Sequence, residues 1–223
     1  TQTRKLCGFE ALLRWKHPVR GDVPPSVFIP VAERTGLIHS LGKWVMETAC
    51  REAMQWDEDM KVAVNLSPVQ FHSTSLIQNV MGALEKSGLE PSRLELEITE
   101  SILLNKSDQT INTLSRLKAV GIKIAMDDFG TGYSSLANLR GVPFDKIKID
   151  RSFLRDITTD RDALAIVEFV VGVGRSLRMT TIAEGIETEE QYECVRRLGC
   201  DQVQGYLISR PLPAKELVAW SSV

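Results

Sequence analysis

Residues Ile122 to Ser135, IKIAMDDFGTGYSS, decide how the chain is read. Ile122, Ile124 and Met126 alternate with Lys123, Ala125 and Asp127, and a period of two is a strand with one apolar face. The strand ends in two adjacent carboxylates, Asp127 and Asp128, followed by Phe129-Gly130-Thr131-Gly132. Two glycines so close mark a loop with unusual backbone angles. Adjacent carboxylates repel in a low dielectric and need a cation or protons. Asp128 also suits a helix cap or turn, and the stretch alone leaves both readings open.

Working outward, strand and helix patterns alternate. Cys7–Trp15 reads as a strand with Glu10, Leu12 and Arg14 on one face, and His17–Pro25 as a loop. A short helical stretch, Ser26–Leu37, is started or interrupted by Pro30, and Ser40 caps a stronger helix to about Trp56. Strands Lys61–Ser67 and Arg93–Thr99 flank a helix over Ser73–Ser87 that Gly88 stops. A helix over Ser107–Val120 ends at Gly121 and leads straight into the Asp127 strand. Beyond it lie a strand at Lys146–Asp150, a helix from Thr159 or Asp160 to Leu177, and a strand at Arg178–Glu184. A helix opened by Thr188, a strand at Gln202–Leu207 and a terminal helix at Pro213–Trp220 complete the chain.

This alternation argues a parallel sheet covered by helices. An open doubly wound sheet wants interior strands apolar on both faces. Here one face carries Asn, Glu, Asp, Lys and Thr, which suits the inside of a TIM-like (β/α)8 barrel near its mouth. Seven strands are counted where eight are needed, and the deficit falls before Thr1. The chain thus reads as one barrel domain over residues 1–223, incomplete at its N-terminus.

Composition sets bounds. The 223 residues carry a net charge of −2, with 43% hydrophobic and 25% charged residues, ordinary values for a globule. No broad basic field suggests a DNA or RNA polymer, and no apolar run suggests membrane contact by this domain. Cys7, Cys50, Cys194 and Cys200 lack zinc-knuckle spacing, and reduced thiols in a cytoplasmic domain are the simplest reading. An anchor elsewhere in a full-length protein is compatible with this.

A polar residue closes each strand, giving Glu10, Asn65, Glu97, Asp127, Lys148, Glu184 and Gln204 around one expected mouth. Carboxylates with an amide oxygen are hard ligands for Mg²⁺ or Mn²⁺. The ring holds no histidine, which disfavours a histidine-type zinc hydrolase; His17, His39 and His72 lie in loop or helix regions. Asp127 is placed to bridge two ions, with Asp128 on one, and two ions about 3.5–4 Å apart clamp a phosphate and activate water. Arg14 suits a phosphate oxygen or a salt bridge. Lys148 either balances the acids or also holds or helps deprotonate the attacking water.

The ring sits within EALLRW (Glu10–Trp15), NLSPVQF (Asn65–Phe71), LELEITE (Leu94–Glu100), DDFGTGYSSL (Asp127–Leu136), KIDRSF (Lys148–Phe153), AEGIET (Ala183–Thr188) and QGYLISRPLP (Gln204–Pro213). In this order the set resembles the EAL domain of bacterial cyclic-di-GMP phosphodiesterases. The resemblance implies a barrel whose first strand is antiparallel to its neighbours, and hydrolysis of cyclic-di-GMP to linear pGpG. It assigns Glu10, Asn65, Glu97 and Asp127 to one Mg²⁺ or Mn²⁺, and Asp127, Asp128 and Glu184 to a second. It makes Lys148, Glu184, Asp127 and Asp128 catalytic, puts Arg14 on substrate phosphate, and gives Gln204 the water or metal surroundings. Glu100 braces the Asp127–Ser135 loop, and Glu187 and Asp150 support the mouth. It further implies a homodimer built near Ile122–Arg140 and sensor or cyclase domains in the full-length protein. Family members usually carry a further strand with a Gln-Pro pair before Glu10; this chain is therefore expected to be less stable and less active than one extended upstream. A catalytically inactive cyclic-di-GMP receptor or regulatory scaffold, and more remotely an enolase-like lyase, are the competing readings.

Overall fold

The structure is a computed structural model that describes residues 1–103, 108–130 and 141–219. A seven-stranded sheet forms its centre: β1 (Gly8–Ala11), β4 (Lys61–Leu66), β5 (Leu94–Thr99), β6 (Lys123–Phe129), β7 (Lys146–Ile149), β8 (Thr180–Ala183) and β9 (Gln202–Val203), in that order. Every neighbouring pair in it is parallel. The antiparallel first strand implied by the resemblance is not among the described strands. The remaining two strands, β2 (Trp15–His17) and β3 (Gly21–Val23), form a separate antiparallel hairpin.

Side-chain parity builds the layers. On β4, Val62, Val64 and Leu66 are buried, and on β5 Leu94, Leu96 and Ile98 are at most 1% exposed. They join Met46, Ala49, Cys50 and Ala53, which recur at helical spacing on α2 (Leu37–Ala53), in one core. Further helices line the chain: α1 (Pro25–Thr35), α3 (Pro68–Phe71), α4 (Leu76–Ser87), α5 (Asp108–Val120), α6 (Arg151–Leu154), α7 (Arg161–Leu177) and α8 (Glu189–Leu198). Parallel neighbours in register face the same side. The opposite face therefore collects Glu10, Ala63, Asn65, Glu95, Glu97, Ala125, Asp127, Lys146 and Lys148. The polar face expected from sequence is real, and it is the concave interior.

Several boundaries differ from the sequence reading. The strand through Glu10 ends at Ala11, and Trp15 begins the hairpin instead; His17 Nδ1 accepts the N–H groups of Val19 and Arg20 and closes its turn. Ser40 is not a cap, because left-handed Gly36 both ends α1 and starts α2; the Ser40 hydroxyl donates to Leu37 O within the first turn. Pro30 lies inside α1 rather than starting it. Strand β9 has two residues, and the terminal segment is a 3₁₀ helix over Ala214–Ala219. Asp160 caps α7 and Thr188 caps α8 in a capping box with Gln191, as their spacing predicts.

The two edge strands are linked without pairing. Thr1 Oγ1 donates to Cys200 O at 2.6 Å, the Tyr192 hydroxyl donates to Thr1 O, and Arg4 pairs with Glu189 while stacking over Tyr192. Lys5 then reaches Asp59 and Cys7 O accepts Lys61 N, so Thr1–Cys7 runs from the β9 side to the start of β4. The four cysteines are unpaired, and among the described residues no helix is long and apolar enough to cross a membrane.

Candidate metal and phosphoester site

The site forms where the strands end. Glu97 comes from β5, Asp127 from β6 and Lys148 from β7, each on the inward parity. Glu184 and Gln204 sit one residue past β8 and β9, yet their N–H groups continue the ladders to Ile149 O at 3.1 Å and Ala183 O at 2.8 Å. Gln204 is held further because Gly205 packs backbone against backbone on Ile186; a Cβ there would lie 2.1 Å from Ile186 O. Asp128 reaches the mouth by a different device. The β6–β7 register shifts between Met126 and Phe129, and Asp128 takes a left-handed φ of 53°. A bulge re-aims a side chain that strict alternation sends outward.

Lys148 is the hub. It is 2% exposed, and its Nζ lies 2.8 Å from Glu97 Oε2, 2.8 Å from Glu184 Oε1, 3.1 Å from Asp127 Oδ1 and 4.0 Å from Glu10 Oε2. Burial alone would lower its pKa; the charges of Glu97, Glu10, Glu184 and Asp127 overrule this and hold it far above its ordinary value. Glu10 is fixed from both sides, accepting Asn65 Nδ2 on Oε1 and Gln204 Nε2 on Oε2, each at 2.6 Å. That second bond joins the edge strand β1 to the residue following the edge strand β9. Oxygens of Asp127, Asp128 and Glu184 all lie within 4.8 Å of one another.

The charges do not balance. Among the described residues, five carboxylates, Glu10, Glu97, Asp127, Asp128 and Glu184, face one ammonium. Burial, joined by repulsion from Asp127, raises Glu184 to about 7 despite Lys148. Burial also pushes Glu97 well up, with Glu10 and Asp127 adding to it, and raises Asp128 alongside Asp127 and Asp150. Protons thus stand in for missing positive charge. Glu97 Oε2, although close to Lys148, accepts no well-aligned hydrogen bond. Excess acid, oxygen-only donors and an underused buried oxygen fit a hard divalent cation.

The other candidate residues are placed as follows. Arg14 follows β1, is exposed, and donates to Leu13 O; the shared face with Glu10 does not hold because β1 stops at Ala11. Asp150 caps α6, accepting Ser152 N at 2.9 Å. Glu100 is buried in the 3₁₀ turn Glu100–Leu103 after β5. The loop it was expected to brace lies largely outside the described residues, as do residues 131–140 of the expected dimer segment. Glu187 donates its N–H to Gln191 Oε1 and is exposed. Sequence reasoning passed over one buried pair, Glu95 and Lys146, at 2.7 Å one layer beneath Glu97 and Lys148. The signal was present as Glu-x-Glu on β5 and Lys-x-Lys on β7, but only the sheet order shows that these reach each other across β6.

Comparison with known proteins gives the same answer. The EAL domain family matches residues 1–211. An uncharacterized signaling protein of Caulobacter vibrioides is 53% identical over 98% of this chain, which spans 27% of that protein. The bifunctional diguanylate cyclase/cyclic di-GMP phosphodiesterase MucR of Pseudomonas aeruginosa is 46% identical over 96% of this chain and 32% of its own length. The structure of the PaMucR phosphodiesterase in complex with c-di-GMP superposes with a TM-score of 0.91 at 46% identity, covering 96% of this chain and 88% of that one. A manganese/cy-diGMP complex of Klebsiella pneumoniae BlrP1 gives a TM-score of 0.79 at 34% identity, over 92% of this chain and 51% of the other. The chain therefore spans about a third or less of the curated relatives it matches. With its family signature running almost end to end, and with a solved relative of the same shape at 46% identity, this chain belongs to the EAL domain family.

Proposed function

We propose that this domain is a divalent-metal-dependent phosphodiesterase that hydrolyses cyclic-di-GMP to linear pGpG. The observation that carries this reading is the inward cluster of five carboxylates around Lys148, each delivered from a different strand end or bulge. The complexes of PaMucR with c-di-GMP and of BlrP1 with manganese and cy-diGMP support the substrate and the metal class. Glu10, Asn65, Glu97 and Asp127 would hold one Mg²⁺ or Mn²⁺, and Asp127, Asp128 and Glu184 a second. Asn65 now turns its amide nitrogen to Glu10; a half-turn presents its oxygen instead.

A bound divalent cation supplies charge neutralisation at the phosphate and makes water acidic enough to attack at neutral pH. The chain's own residues do the rest. Water adds to phosphorus, the P–O3′ bond breaks, and the released 3′ oxygen takes a proton. Lys148 Nζ, within 3.1 Å of Glu97, Glu184 and Asp127, is placed to orient the attacking water and the carboxylates as a donor. Gln204 and Asn65 keep Glu10 aimed at the mouth. Arg14, exposed beside the mouth-forming strand, would meet a substrate phosphate.

The wider protein belongs to the same reading. MucR joins a cyclase to its phosphodiesterase, and this chain spans a similar fraction of several relatives, which supports sensory or cyclase neighbours. Homodimerisation near Ile122–Arg140 completes the proposal. The test is turnover of cyclic-di-GMP with Mg²⁺ or Mn²⁺ by the wild type and Asp127→Asn. Release of pGpG that stops with chelator or with the substitution is expected; tight binding without turnover would instead make the domain a receptor.

A further inference from the structure

Beneath the acid cluster lies a second ion pair that the proposed chemistry does not use. Lys146 Nζ sits 2.7 Å from Glu95 Oε1, with the two side chains 12% and 4% exposed. Both face the sheet interior. Glu95 is two residues before Glu97 on β5, and Lys146 is two residues before Lys148 on β7, so the pair is one layer, about 7 Å, below the site. Strand β6 runs between them; its inward Ala125 is in register with Lys146 and with Glu97, so Lys146 reaches back two register positions to meet Glu95. A methyl group leaves room for the two long side chains to meet above it. Lys123, the register partner of Glu95, turns away and pairs with Asp145 together with Lys118. Thr180, in register with Lys146 on β8, is uncharged.

The polarity of the stack is specific. Like lies under like: Glu95 under Glu97 on one strand, Lys146 under Lys148 on the other. Each lower charge is neutralised across β6, so neither draws its upper neighbour downward. If Lys146 were removed, the bare Glu95 carboxylate would compete for the Lys148 ammonium and add its own pull on a divalent cation. If Glu95 were removed, the bare Lys146 ammonium would turn to Glu97 and compete with a divalent cation. Opposite charges a few ångströms apart in a partly buried site attract by several kT, enough to redirect a flexible side chain.

We propose that Glu95 and Lys146 are a positioning pair, whose mutual neutralisation and polarity keep Glu97 and Lys148 aimed at the mouth and thereby set divalent-ion affinity. This rests on the metal-site reading above. The experiment measures Mn²⁺ binding by calorimetry, with thermal unfolding alongside, for five proteins: wild type, Glu95→Gln, Lys146→Met, the neutral double variant Glu95→Gln/Lys146→Met, and the swapped double variant Glu95→Lys/Lys146→Glu. Glu95→Gln, which leaves a bare ammonium, should bind Mn²⁺ about tenfold more weakly, and Lys146→Met, which leaves a bare carboxylate, about tenfold more tightly, since an unneutralised charge about 7 Å from a divalent ion repels or attracts it by roughly that factor. The neutral double variant should return to within about threefold of wild type, because both competitors are gone. The swap retains an ion pair and so the fold, but puts Lys under Glu97 and Glu under Lys148; it should again be about tenfold weaker. Should a single variant fail to fold, the two double variants decide. Wild-type affinity in the swap, or single variants that shift affinity in the same direction, would overturn the positioning role and leave the pair a structural tie. A wild type that binds no Mn²⁺ would overturn the metal reading and this inference together, whereas a binding wild type with indifferent variants overturns this inference alone.

Discussion

Replacing Lys148 by Met removes, among the described residues, the ammonium in contact with the acid cluster and keeps the side chain's bulk. Lys148 is 2% exposed and lies within 3.1 Å of Glu97, Glu184 and Asp127. Taking one partner out of a buried ion network costs about 3–5 kcal/mol, because the remaining charges stay buried without compensation. Protonation relieves part of that cost, so the assay belongs at alkaline pH; Glu184, already raised to about 7 with Lys148 present, rises further without it. For a domain of this size each kcal/mol moves Tm by about 2–4 °C, which predicts a loss of roughly 6–20 °C in EDTA. Saturating Mn²⁺ should restore most of it, since the cation replaces the lost charge, while turnover stays at least about 10²-fold down because water is no longer oriented. Differential scanning calorimetry in EDTA and in Mn²⁺, paired with a pGpG assay, reads all three. Unchanged Tm in EDTA would refute the view that the ammonium neutralises the acids, and unchanged turnover with metal bound would refute its orienting role.

The pH dependence has a definite sign. Glu184 is raised from 4.5 to about 7 when folded, so its contribution to stability is fully present below about pH 4.5 and is lost as pH rises through about 7. In EDTA the wild type should therefore lose up to about 3 kcal/mol relative to Glu184→Gln between pH 4.5 and 8; parallel stability curves would contradict this. Asp128→Asn should lower turnover more than cyclic-di-GMP binding, because left-handed Asp128 gathers with Asp127 and Glu184 in one oxygen group; equal activity with unchanged metal dependence would reject that role. Gly205→Ala should destabilise the domain by about 1–3 kcal/mol and weaken the Gln204–Glu10 link, because its Cβ meets Ile186 O at 2.1 Å; urea unfolding checks it, and an unchanged midpoint would show that the contact relaxes freely.

How much of this was legible beforehand follows from periodicity. Alternation on β4, β5, β6 and β7 assigned Asn65, Glu97, Asp127 and Lys148 to one face, and the register places them there. What alternation cannot supply is the exception to it. Asp128 has the wrong parity, and only the bulge with its left-handed backbone brings it to Asp127 and Glu184. The face that Arg14 was to share with Glu10 fails for the converse reason: parity was extended past Ala11, where the strand had already ended. Ser40 carries cap chemistry, but Gly36 four residues earlier offered a sharper break, and backbone geometry prevailed over side-chain preference. The Glu95–Lys146 pair depends on which strands neighbour β6, information that no single strand contains.

The central claim is that the acid cluster is a divalent metal centre. Anomalous diffraction from crystals grown with Mn²⁺ tests it most directly. One peak is expected among the oxygens of Glu10, Asn65, Glu97 and Asp127 and another among Asp127, Asp128 and Glu184, with metal–oxygen distances slightly above the roughly 2.0–2.1 Å of Mg²⁺. Full Mn²⁺ occupancy elsewhere on the domain, with Lys148 still bridging Glu97, Asp127 and Glu184 and no anomalous density among them, would contradict it.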